Sequence, residues 1–213
     1  MTGQSSGAVE RRHASVAFAV AAAPFPNERE SGDRYLFRDC GDGILIAVID
    51  GAGHGSEAAV AARIAVSTLE AHAHKSPIAL LLRCHDDLKG TRGAVATAAF
   101  MNLRERTLTW AGVGNVDAML FHGGDNGAPP DRVLLRNGIL GYRLPSVRAE
   151  VLPLTPLDTL VIVTDGIAPG FDDGLSLDED PQTIANNILA RHYNATDDAL
   201  VVVVRYLGGG REQ

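Results

Sequence analysis

The run Ile44-Leu45-Ile46-Ala47-Val48-Ile49 passes directly into Asp50-Gly51-Ala52-Gly53-His54-Gly55, and this junction constrains the fold more than any other stretch. Unbroken branched apolar residues suit a strand covered on both faces, because a half-exposed strand would alternate with polar residues. The spaced glycines let the backbone turn where side chains would clash. The run therefore delivers a carboxylate to a turn at a strand end. Thr159-Leu160-Val161-Ile162-Val163 followed by Thr164-Asp165-Gly166 repeats the arrangement. Asp197-Asp198 stands just before the apolar run 199–204, and Ser31-Gly32-Asp33 lies upstream of the first junction. Four acidic points at strand edges or turns can converge on hard cations such as Mg2+ or Mn2+, which prefer oxygen ligands.

The rest of the chain reads as strands, two helices, strands, a helix and a last strand. A first strand spans 15–21, a short one 35–38, and the central strand 44–49 follows the turn Gly41-Asp42-Gly43. Ser56-Glu57 opens a helix to about residue 72, with Ala58, Ala61, Ala62, Ala65, Val66 and Leu69 on one face. Ser76-Pro77 caps a second helix that runs to about residue 88. Strand signals follow at 94–102, 107–112, 118–122, 133–136 and 147–152, with the Gly- and Pro-rich loop 123–131 among them. The helix 181–192 precedes the last strand. This order indicates an α+β protein of stacked sheets with helices outside.

At 213 residues the chain suits one domain, expected over 15–207, with a disordered tail at 1–14 and a C-terminal tail at 208–213. A net charge of -7 and a pI near 5.4 argue against a nucleic-acid partner, which needs a basic footprint. Cys40 and Cys84 cannot build a disulfide framework and suggest a reducing, cytoplasmic setting. Arg11-Arg12 before an Ala- and Val-rich run resembles a secretory signal, but Pro24-Phe25-Pro26 stands where a cleavage site belongs, so a first strand fits better. No run approaches the ~20 apolar residues of a membrane span.

The ordered set Ser31-Gly32-Asp33, Asp50-Gly51-Ala52-Gly53-His54-Gly55, Gly112-Val113-Gly114-Asn115, Thr164-Asp165-Gly166 and Thr196-Asp197-Asp198 resembles the metal-dependent protein phosphatases of the 2C class. More narrowly it is similar to their bacterial SpoIIE-type branch, and within it to the small stand-alone RsbX-type phosphatases of stress-signalling complexes. The resemblance covers residues 15–206. It implies an αββα sandwich, two central antiparallel sheets flanked by helices, with a centre of two divalent ions, Mn2+ or Mg2+, at one end. By the same resemblance Asp50 bridges both ions and the Gly51 carbonyl binds one of them. Asp165 and Asp197 hold the other, Asp33 lies close to the water between them, and Asp198 supports its neighbour. Asp50 and Asp165 are thus the expected catalytic residues.

The implied reaction is one-step hydrolysis of phosphoserine or phosphothreonine by a metal-activated water. The departing alkoxide takes its proton from water or from His54. Arg92 is the candidate to grip the substrate phosphate, with Arg34 second, since a guanidinium fork suits phosphate. The expected partner is a phosphorylated signalling protein, a STAS-type regulator or stressosome component, with no nucleic acid and no membrane. Two other readings are a catalytically silent phosphatase-like binding module and a hydrolase of small phosphoesters. Against the first, none of the principal acids is missing. The second wants an enclosed basic pocket, which the few arginines near the motifs do not suggest. His85-Asp86-Asp87 reads as surface of a helix, since adjacent helical residues diverge around the axis.

Overall fold

In the computed structural model, residues 2–3, 9–26, 28, 30–124 and 128–208 are described. The elements in chain order are β1 (Thr2–Gly3), β2 (Val9–His13), β3 (Val16–Ala23), β4 (Asp33–Asp39), β5 (Gly43–Gly51), α1 (Ser56–Ala71), α2 (Pro77–Asp87), β6 (Ala94–Asn102), β7 (Thr107–Val113), β8 (Asp117–Phe121), β9 (Asp131–Arg132), β10 (Glu150–Pro153), β11 (Thr159–Val163), α3 (Pro181–His192) and β12 (Ala199–Tyr206). They form two sheets, ordered β1-β4-β5-β6-β7-β10 and β2-β3-β12-β11-β8-β9, with every pair antiparallel. Among the described residues no helix is long and apolar enough to cross a membrane.

Alternation along the central strands explains why their sequences are apolar throughout. In β5, Ile44, Ile46 and Val48 join the core between the sheets, while Leu45, Ala47 and Ile49 pack beneath α1 and α2. In β12, Leu200, Val202 and Val204 face the same inner core, and Ala199, Val201 and Val203 meet α3. Both faces of each sheet are thus covered, one by the other sheet and one by helices, giving the four-layer αββα sandwich. Small residues let the helices approach closely: Ala58, Ala61, Ala62 and Ala65 are fully buried along α1. The two later helices begin on proline, α2 capped by Ser76 and α3 by Asp180, whose carboxylate accepts from Gln182 and Thr183 N–H groups.

Three expectations need correction. The tail expected at 1–14 contains β1 and β2, which pair with β4 and β3. Without them those two strands would present bare edges. Residues 1, 4–8, 209–213 and the loop centre 125–127 lie outside the described residues. The strand expected at 133–136 is replaced by β9, because beyond it the chain leaves one sheet and crosses the end of the sandwich to the other. There Leu140 exchanges backbone hydrogen bonds with Ala94. The strand expected at 147–152 begins only at Glu150, since Val147 packs with the helix-side core instead. His85 accepts from the Gly141 N–H and Asp87 from the Thr68 hydroxyl, so that helical acid–histidine stretch ties α2 to its neighbours.

Candidate metal centre

Strand parity sets the site. Asp50 has the parity of Ile46 and Val48 and therefore points between the sheets, at their end. The β4–β5 register places Asp33 directly opposite it. Like charges directly across an antiparallel pair are unfavourable, so this pair needs support. Thr164, just past β11, gives it: its hydroxyl donates to Asp33 Oδ2 at 2.7 Å and accepts from the Leu200 N–H at 2.8 Å, tying one sheet to the other. The next residue, Asp165, is exposed, and its Oδ2 accepts from Asn115 Nδ2 at 2.7 Å. Asn194 Nδ2 donates to the Asp165 carbonyl at 3.1 Å.

Two acids precede β12. Asp197 Oδ1 accepts from the Asp198 N–H at 2.8 Å, and Asp198 is buried, taking the Gly32 N–H at 2.7 Å and the Phe25 N–H at 2.8 Å. Asp198 thereby fastens the segment leading into Asp33 rather than facing solvent. The glycines after the two strand-end acids are required by close packing. A Cβ on Gly51 would lie 2.1 Å from the Ala58 carbonyl oxygen of α1, and one on Gly166 would lie 2.1 Å from the Asp198 carbonyl oxygen.

The electrostatics are those of a site short of positive charge. Burial, followed by the charges of Asp33, Asp165, Asp197 and Asp198, pushes the Asp50 carboxyl well above the usual carboxylate range. Burial raises Asp33 too, against the Thr164 hydrogen bond and together with Asp198, Asp165 and Asp197. Asp197 is raised by burial and then by Asp165 and Asp198, with His54 acting in the opposite sense. Among the described residues no lysine or arginine forms an ion pair with any of these five acids. The donors are hard oxygens suited to Mg2+ or Mn2+. Among the described residues no three His, Cys, Asp or Glu side chains stand close enough to cage an ion.

His54 sits on the rim, its Nδ1 paired with Glu28 Oε1 at 2.9 Å and its ring 5.2 Å from that of Phe25. Arg92 lies against the glycine loop, half exposed and paired with Glu57 at 2.8 Å. Arg34 is not placed to meet a substrate. It is buried, and its Nη1 donates to the Ser31 and Asp33 carbonyls at 2.7 and 2.8 Å, bracing the turn from behind. Beside Asp165 an open cleft of about 440 Å3 is lined by Asn115, Met119, Leu135, Ile167 and Phe171 among others. Sequence reasoning assigned no role to Asn115, Asn194, Thr164 or Glu28. Only the positions of Asn115 and Thr164 inside motif stretches hinted at one.

Two antiparallel sheets between helices, with acids gathered at one end of the inner layer, give the fold of the PP2C phosphatase domain of SpoIIE from Bacillus subtilis, which superposes with a TM-score of 0.75 at 21% identity, covering 94% of this chain and 65% of that one. The chain belongs to the family of Stage II sporulation protein E (SpoIIE), whose model matches residues 41–207. The phosphoserine phosphatase RsbX of Bacillus subtilis (strain 168) is 24% identical over 173 residues, 81% of this chain and 85% of RsbX. A solved structure of RsbX in complex with magnesium superposes with a TM-score of 0.84 at 20% identity, covering 94% of this chain and all of that one. A chain from work on the bacterial stressosome, described as a modular system adapted to control secondary messenger signalling, gives a TM-score of 0.81 at 27% identity, covering 89% and 99%.

Proposed function

We propose that this chain is a metal-dependent protein serine/threonine phosphatase acting on phosphoserine or phosphothreonine of a STAS-type regulator or stressosome component. The observation that carries the reading is the Asp33–Asp50 pair, Asp33 buried and Asp50 half-buried, which feels the charges of Asp165 and Asp197 and, among the described residues, forms no ion pair with a lysine or arginine. Two divalent ions, Mn2+ or Mg2+, fit that donor set. Asp50, the Gly51 carbonyl, Asp165 and Asp197 would hold them, with Asp33 beside them. When bound, such ions activate a water nucleophile and neutralise charge on the phosphoryl oxygens.

The chain's own groups supply the rest. Thr164 fixes the rotamer of Asp33, and Asn115 fixes that of Asp165. Arg92 has a guanidinium that can exchange Glu57 for a substrate phosphate, a bidentate acceptor of the same shape. Glu28 accepts from His54 Nδ1–H, and the doubly protonated ring would carry a second N–H, at Nε2, as the proton for the departing serine or threonine oxygen. The similarity to RsbX and to the stressosome chain supports a signalling phosphoprotein as substrate.

Phosphate release from serine-phosphorylated STAS domains, measured with Mn2+ and with excess chelator, tests this reading. Turnover is expected only with metal. Full turnover in chelator would reject the metal-dependent mechanism, and turnover of p-nitrophenyl phosphate far above that of every phosphoprotein would favour a small-phosphoester hydrolase.

A further inference from the structure

We propose that residues 132–149 form a docking surface for an acidic face of the phosphoprotein, so that negative charge around the phosphorylated residue selects the substrate. The identity of the occupant as a phosphoprotein rests on the phosphatase reading above; the surface itself rests on charge and exposure. The stretch carries Arg132, Arg136, Arg143 and Arg148 with no Asp, Glu or Lys among them, in a chain of net charge -7. A local reversal of sign of this kind steers a partner of opposite charge and fixes its register.

Arg132 is neutralised within the chain, bonded to Asp117 at 3.2 Å and Asp172 at 2.7 Å. Among the described residues Arg136, Arg143 and Arg148 form no ion pair. Arg136 Nε is buried with no hydrogen-bond acceptor. The guanidinium groups of Arg143 and Arg148, exposed and without carboxylates, are available to a partner's acids. Large apolar side chains are exposed along the same stretch: Tyr142 is 84% exposed and Leu134 52%, and Val151, just past it, is 62%. Arginine beside tyrosine is the composition of binding hot spots, whereas scattered surface charge is not.

The surface is continuous with the metal centre. The Arg136 carbonyl accepts from the Gly114 N–H at 2.9 Å, next to Asn115 and its bond to Asp165. Leu140 pairs with Ala94, whose partner across the strands is Gly51. At its far end Leu134 and Arg148 border an open cleft of about 470 Å3 against Trp110. The basic stretch therefore crosses the sandwich end beside the carboxylates. A negative centre repels a phosphorylated, acidic chain, and a basic rim offsets that repulsion while leaving the centre free for its cations.

The test uses two fluorescent serine peptides of equal length, one flanked by Asp and Glu and one by Lys and Arg, each in phosphorylated and unphosphorylated form. Anisotropy with the unphosphorylated pair, in Mn2+ and low salt, reads docking without turnover. Phosphate release from the phosphorylated pair reads catalysis. The acidic peptide is expected to bind about tenfold more tightly, with kcat/KM in the same direction and the preference fading as salt rises. Arg143→Glu with Arg148→Glu should reverse the preference, and Arg143→Gln with Arg148→Gln should erase it. Both arginines are exposed, so folded variants are expected and melting curves confirm them. Equal binding, a preference for the basic peptide, or an acidic preference that survives the double charge reversal would overturn the docking surface. Acidic preference in binding with no phosphate release would leave the surface standing and reject the phosphatase reading instead.

Discussion

Asp50-Gly51 at the end of β5 and Asp165-Gly166 after β11 share a sequence pattern but lie in opposite sheets and in opposite environments. Asp50 remains within its strand, half-buried, flanked across the sheet by Asp33 and Val95, and the surroundings strip water from its carboxylate. Asp165 lies past its strand, exposed, and is steadied by the amides of Asn115 and Asn194. What the two copies share is the glycine, pressed in each case against a backbone carbonyl. The common pattern thus fixes how closely backbone segments approach, while the neighbours decide whether the acid is held by burial or by hydrogen bonds.

The strongest test of the comparison is to neutralise each acid in turn. Asp50→Asn and Asp165→Asn should each lower kcat/KM by a factor on the order of 10³ or more, since either change removes charge proposed to hold the cations. Circular dichroism and phosphate release at saturating Mn2+ check this. A near-normal rate in one variant would mean that only the other copy serves the chemistry.

The shared feature is tested by Gly51→Ala and Gly166→Ala. Each would force a methyl carbon to within 2.1 Å of a carbonyl oxygen, so backbone must move in both. A loss of about 2–3 kcal/mol or more is expected from each by chemical denaturation. If Gly166→Ala costs little, the segment at 197–198 yields where α1 does not, and the two glycines are not equivalent.

How far the sequence reveals this arrangement depends on whether the signal is local. β6 and α3 fall where their patterns put them, and β5 extends its apolar run by a residue or two at each end, because layers on both sides demand unbroken apolar strands. The residues 133–136 misled because Val-Leu-Leu has strand composition, yet there the chain is changing sheets, a choice made by contacts with Gly114 and Ala94. Arg34 misled for a different reason. Alternation alone puts the residue after an inward-facing Asp33 on the opposite, helix-covered face, and the structure buries it there. Glu28, Asn115 and Asn194 act across 26, 50 and 29 residues, so no spacing within a motif announces them.

The difference in burial also predicts how the metal-free protein responds to charge removal. In Asp50→Asn a half-buried group loses both its desolvation cost and its repulsion from Asp33, Asp165, Asp197 and Asp198. The apo-protein should become more stable by about 1–2 kcal/mol at neutral pH, whereas Asp165→Asn, at an exposed position, should change it by no more than about 0.5 kcal/mol. Denaturant titrations in chelator read both numbers. Equal effects would show that burial does not separate the two sites.

The smallest expected effect comes from the clamp on Asp165. Its Oδ2 is held by Asn115 Nδ2 at 2.7 Å across 50 residues of chain, and nothing comparable to the Asp33–Thr164 burial surrounds it. An exposed carboxylate released from that bond samples other rotamers, so a cation must pay the ordering entropy that the asparagine had already supplied. Asn115→Ala should therefore weaken Mn2+ activation about tenfold while leaving most of kcat recoverable at high Mn2+. Asn115→Gln should not restore it, because the longer side chain carries the amide past the position that the carboxylate occupies. A titration of phosphate release against Mn2+ distinguishes the cases. An unchanged half-activation concentration would mean that the Asn194 bond to the Asp165 backbone is sufficient, and that both copies of the strand-Asp-Gly pattern are fixed through the main chain alone.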